Sequence, residues 1–135
     1  MNPIRLLLAA VLRAAAFLLV TGAAIFVVGR SDSDDALGAG LMVFLVLVTI
    51  AFAWALVDGI RLGVVTPLVT WVLVGVLAGI GIPALFALVG DGGSVTDEIA
   101  DSAVFFGFLV FVPAAAGCCL GGLVHRFSGR SEPAV

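Results

Sequence analysis

The chain has 135 residues and a mass of 13.7 kDa, with 63% hydrophobic residues, 11% charged residues and a formal net charge of -3. Ordinary globular domains are about half apolar and a quarter charged, and a soluble domain this small has too much surface for so little polar material to cover. A mean hydropathy of +1.33 therefore excludes a soluble globular domain and makes the bilayer the expected solvent, while nine acids against six arginines and no lysine exclude the basic footprint of a nucleic-acid binder.

Four apolar runs follow in chain order: Leu6 to Val28, Ala36 to Val57, Leu62 to Val89 and Ile99 to Val124. Each exceeds the roughly 18 to 20 residues that cross a hydrocarbon core of about 30 Å. They are joined by Gly29 to Asp35, the short Asp58 to Arg61, and the Gly-rich, acidic Gly90 to Glu98. The expectation is an all-α polytopic membrane protein, a single four-helix transmembrane bundle over 1–124 with short loops and a polar tail over 125–135. A β-barrel is excluded because its strands alternate apolar and polar over about ten residues, whereas these runs are continuously apolar. In lipid, only a helix satisfies its own backbone within one segment.

Asn2 to Arg5 ahead of the first run, with small residues around Thr21 to Ala24, has the outline of a secretory signal. Arg13 interrupts that run and three more spans follow, so the segment reads as a retained helix.

Orientation follows from the arginines, since short loops rich in them stay cytoplasmic. With four spans, Arg5, Arg13, Arg61, Arg126 and Arg130 fall on one side and Arg30 on the other, together with Asp32, Asp34, Asp35, Asp91, Asp97, Glu98 and Asp101. Asp58 and Glu132 are the two acids on the arginine side. Both termini are therefore expected in the cytoplasm of a bacterial cell, with the acidic connections outside the plasma membrane. Trp54 and Trp71 lie near the cytoplasmic ends of their spans, where an indole can sit at headgroup level.

Arg13 is a full charge inside an apolar run, where a central position costs about 2.5–3.5 kcal/mol on insertion scales. Two readings are open: a side chain that snorkels to the headgroups, or a functional ion pair or pathway residue. Asp58 closes the second run in Trp54-Ala-Leu-Val-Asp58-Gly59-Ile-Arg61. It pairs with Arg61 across a turn at Gly59, or it is a carboxylate at a pore mouth. Thr96 to Ser102 opens the fourth helix, with Thr96 or Asp97 as N-cap and acids that complement the helix dipole. Glu98 and Asp101, at i and i+3, also form a possible outer cation mouth.

Gly75 and Gly79, continued by Gly81, and Gly117 and Gly121 are small-residue pairs that let membrane helices approach closely, within the bundle or between copies. Pro83 and Pro113 are expected to kink the same two helices. The adjacent Cys118 and Cys119 read as small apolar side chains. No metal or cofactor set is spaced in the chain, and no nucleophile–His–acid set, HExxH or phosphate loop is present. His125 reads as a solvated interfacial group, and an enzyme is not expected.

The order of Trp54, Asp58, Gly59, Trp71, Gly75 and Gly79, Thr96 to Glu98, Phe105 to Phe111, Pro113-Ala114 and Gly117 resembles the bacterial four-helix drug/metabolite transporter-like family over roughly Ala53 to Gly122. The resemblance implies a small integral membrane protein assigned to transport by analogy with the wider superfamily. The small multidrug resistance proteins of that superfamily use a glutamate in their first helix as a shared proton and cation site. Here Leu6 to Val28 holds no acid, so Asp58 or the Glu98/Asp101 mouth would substitute, or an anionic substrate would meet Arg13. The expected partners are the lipid bilayer and a second copy in a homodimer. The alternative is an accessory or structural subunit of a larger membrane complex.

Overall fold

A computed structural model of the chain describes residues 3–28, 36–89 and 94–128. These form four α-helices: α1 (Pro3–Val28), α2 (Ala36–Leu62), α3 (Val65–Val89) and α4 (Val95–Ser128). Each is long and apolar enough to cross a membrane, as the sequence predicts. The shortest, α3 with 25 residues, extends about 37 Å against a hydrocarbon core of about 30 Å. Arg30, Asp32, Asp34, Asp35, Asp91, Arg130 and Glu132 lie outside the described residues.

Five boundaries depart from the sequence expectation: α1 begins at Pro3 and not Leu6, α3 begins at Val65 and not Leu62, and three others move for local reasons. Gly59 stays helical, and α2 continues to Leu62. The stop falls at Gly63, which has a φ of 76° and donates its N–H to the Gly59 carbonyl at 3.0 Å, a left-handed cap that a side chain would strain. Asp58 to Arg61 is thus the last turn of a helix and not a connection. The second of these three is at α4, where the Ser94 carbonyl accepts the N–H groups of Asp97 at 3.1 Å and Glu98 at 3.0 Å. Ser94 therefore holds the N-cap position expected of Thr96 or Asp97. The third is the tail, since α4 runs through His125 to Ser128.

The helices form a ring in which α4 packs on α2 and α3, α1 packs chiefly on α3 and less on α2, and α1 and α4 occupy opposite corners. In lipid, apolar burial does not drive this association, so close packing must. Glycine makes it possible on two seams. Along α2–α4, a methyl at Gly117 would stand 2.5 Å from the Phe52 carbonyl oxygen, and one at Gly59 would stand 2.7 Å from that of Cys118. Gly121 rests on the backbone of Leu56 and Ile60 in the same seam. Along α3–α4, Gly79 faces the Ala103 carbonyl and Gly107, and Gly75 faces Gly107 and Phe111. Both predicted small-residue pairs therefore pack inside the bundle. Their partners, Gly59 and Gly107, carry no such label in the sequence.

Pro83 and Pro113 sit inside helices that continue through them. Thr21, Thr49 and Thr70 turn their hydroxyls back on their own helices, donating to the carbonyls of Phe17 at 2.8 Å, Leu45 at 2.7 Å and Thr66 at 3.0 Å, which removes a polar group from the apolar solvent. The core between the helices is built on Phe17, Leu47, Trp71, Val74, Ile82 and Val110.

Candidate functional site: a buried ion pair between two tryptophans

The alternation of helix directions brings the start of α1, the α2–α3 turn and the end of α4 to one end of the bundle. One turn inside that end, Asp58 lies four residues before the close of α2, about 6 Å along its axis. It is 9% exposed. Trp71 lies six residues into α3, at a similar depth. Arg13 reaches them from α1.

Arg13 Nη2 donates to Asp58 Oδ2 at 2.8 Å, with the two side chains 13% and 12% exposed. The same carboxylate oxygen accepts the indole N–H of Trp71 at 3.3 Å. The guanidinium carbon stands 5.4 Å from the Trp54 ring centre and 5.8 Å from that of Trp71, both within cation–π range. The two indoles meet edge to face at 6.4 Å and 77°, and Phe17 braces Trp71 at 6.1 Å and 85°. Two aromatic walls and one carboxylate thus enclose one cation.

This arrangement selects between the readings left open for Arg13 and Asp58 and adds a buried role for Trp71. Arg13 takes the ion-pair reading, with its guanidinium turned to Asp58 inside the bundle. Asp58 does not pair with Arg61. The continued helix carries Arg61 to an exposed position, and Asp58 points inward to α1. Trp71 is fully buried in the bundle, where its N–H donates to the Asp58 carboxylate in place of water. Trp54 keeps a partly exposed outer face at 38%.

The pair is incompletely bonded. Arg13 Nε is buried and has no hydrogen-bond partner among the described residues, an arrangement that costs about 1–3 kcal/mol per orphaned donor. Cys118 is buried and Cys119 exposed, both free. The Cys118 backbone lies against Gly59, one residue beyond Asp58.

The remaining expected residues sit elsewhere. His125 Nδ1 lies 2.8 Å from the Ile60 carbonyl. A carbonyl oxygen only accepts, so this nitrogen carries the proton and closes one of the open carbonyls at the end of α2. Arg61 and Arg126 are exposed at the same end. Glu98 and Asp101 are one turn apart at the opposite end, Glu98 half-buried and Asp101 exposed. No cluster of His, Cys, Asp or Glu able to hold a metal occurs among the described residues. On the outer face, a groove of about 390 Å³ follows the α3–α4 seam, floored by Gly75, Gly79 and Gly107 and walled by Val76, Phe108 and Phe111.

The tryptophans were legible as residues of interest, but their joint role with Arg13 was not. Trp54 and Asp58 are four apart on one face of α2, but Arg13 and Trp71 belong to other helices, and no periodicity links them to that pair. No known protein family, no curated protein and no solved structure matches the chain.

Proposed function

We propose that this chain is a small transporter of the drug/metabolite type in the bacterial inner membrane, working as a homodimer with both termini in the cytoplasm. The observation that carries the reading is the Arg13–Asp58 pair. Ionisable residues within membrane spans are costly and mark pathways or proton relays. A buried ion pair adds little net stability unless its geometry and hydrogen bonding are complete, and here a guanidinium donor is left over. Protonation of Asp58 removes the negative charge that holds Arg13, freeing a cation between two aromatic walls. That event couples a proton to a rearrangement of α1 against α2.

The test is uptake into proteoliposomes under an imposed proton gradient, with a pH-sensitive dye inside and a panel of cations, drugs and metabolites outside. The expected result is substrate-dependent proton movement that Asp58→Asn abolishes. Monomeric protein that moves nothing on the panel overturns the proposal. Orientation is tested separately by reporter fusions at Ser33 and Asp91, where a cytoplasmic signal from either contradicts the assigned topology.

The outer α3–α4 groove favours one second reading, an accessory subunit that receives a helix of a larger complex on its glycine floor. Purification in mild detergent discriminates: a stoichiometric larger partner supports the accessory role, and self-association alone supports the transporter.

A further inference from the structure

A second hollow lies in the other half of the bundle, away from the ion pair. It has a volume of about 490 Å³ and takes its lining from all four helices. Its floor is Thr21 and Leu47, 1% and 3% exposed, and its rim carries the partly exposed rings of Phe44, Phe86 and Phe105. Phe86 stacks on Phe106 at 5.8 Å and 27°, and Phe105 meets Phe106 edge to face at 5.2 Å, so three rings make one continuous aromatic wall. An added Cβ at Gly40, on the α2 side, meets nothing within 4 Å. Gly40 is an exposed residue of the lining, so a side chain there projects into open space.

The chemistry of the walls is narrow. Among the described residues, none that lines the cavity is charged, and the one hydroxyl, Thr21, already donates to the Phe17 carbonyl at 2.8 Å. Against these walls a charged ligand finds no counter-charge and a strongly polar one no free donor, and either loses its hydration without compensation. Ring faces and edges favour a partner with rings of its own. The volume falls in the range of about 300–1,000 Å³ typical of small-molecule sites. The rim residues belong to helices long and apolar enough to cross a membrane, so a molecule dissolved in hydrocarbon reaches the mouth without crossing water.

We infer that this cavity is a binding site for a neutral aromatic, hydrocarbon-like molecule of two or three rings. The site is separate from the Arg13–Asp58 pair and is tested by binding, so the outcome of any transport assay leaves it standing or falling on its own.

The experiment uses the full chain purified in detergent and labelled with a neutral aryl diazirine, with the modified residues mapped by peptide mass spectrometry. Saturable labelling of Phe44, Phe86, Phe105 or Leu109, competed by biphenyl, is expected. Gly40→Leu fills the open space and should lower that labelling by about tenfold. Ala24→Leu, from the α1 wall, should do the same, and circular dichroism and gel filtration report whether each variant is folded. Labelling that does not saturate and spreads over the outward faces of all four helices overturns the inference. So does full labelling in both folded variants. Competition by added phospholipid without any effect of biphenyl also overturns it, because an acyl chain then occupies the cavity.

Discussion

Arg13 and Asp58, separated by 45 positions in the chain, meet at 2.8 Å across α1 and α2. Among the described residues, neither forms an ion pair with any other side chain. Removing one leaves the other buried and uncompensated, a loss of about 3–5 kcal/mol where such pairs have been broken in soluble proteins. Arg13→Gln and Asp58→Asn should each lower the melting temperature in detergent. The double variant should recover much of the loss, because it removes both desolvation penalties together. A double variant whose loss equals the sum of the two single losses would show that the residues are not coupled.

Trp71 and Trp54 both flank the guanidinium, but Trp71 alone donates to Asp58, at 3.3 Å. Trp71→Phe keeps an aromatic wall and loses that hydrogen bond, worth about 1.5–3 kcal/mol to a charged acceptor. Trp54→Phe weakens a cation–π contact, worth about 0.5–2 kcal/mol, and the edge-to-face contact with Trp71, but loses no hydrogen bond to Asp58. Thermal denaturation should rank Trp71→Phe as the more damaging change. Equal melting temperatures would deny the indole N–H its role.

Glycine substitutions should separate by seam. Gly117→Ala drives a methyl to 2.5 Å from the Phe52 carbonyl oxygen and should destabilise by about 1–3 kcal/mol through forced separation of α2 and α4. Gly22→Ala meets only Leu85 at an ordinary 3.6 Å, so improved helix propensity should stabilise the protein by up to about 1 kcal/mol. Opposite shifts in melting temperature are the expected reading. A tolerated Gly117→Ala would mean that the seam opens more easily than its geometry implies.

The cap at Gly63 gives a sharper backbone test. Its φ of 76° costs an alanine about 1–2 kcal/mol, while asparagine visits this conformation more readily. Gly63→Ala should therefore lower stability, and Gly63→Asn should restore most of the loss. An alanine variant with an unchanged melting curve would place the end of α2 elsewhere.

The fold was legible because bilayer crossing is decided by local composition. Any stretch of about 20 apolar residues must satisfy its own backbone in lipid and so becomes helical. The seams were half legible. Gly117 and Gly121 stand out as a spaced pair, but their bed in α2 is Gly59, which looked like a turn because it follows a charge. The cap residue Gly63 was hidden by the same reasoning. Once Gly59 can bury its missing side chain against Cys118, the helix has no cause to stop before the next glycine.

The candidate site was legible only as separate anomalies. Arg13 and Asp58 are conspicuous as charges among apolar residues, but each has a nearer solution beside its functional reading, the headgroups for one and Arg61 for the other. Composition and charge sorting determined four spans, their approximate lengths and the expected orientation, because those depend on residues near one another in the chain. The tertiary structure decided which charges meet, which tryptophan is buried and which glycines touch. Those outcomes depend on the ring order of the helices and on the rotation of each about its axis, and helices apolar on every side carry too weak a pattern to specify either one alone.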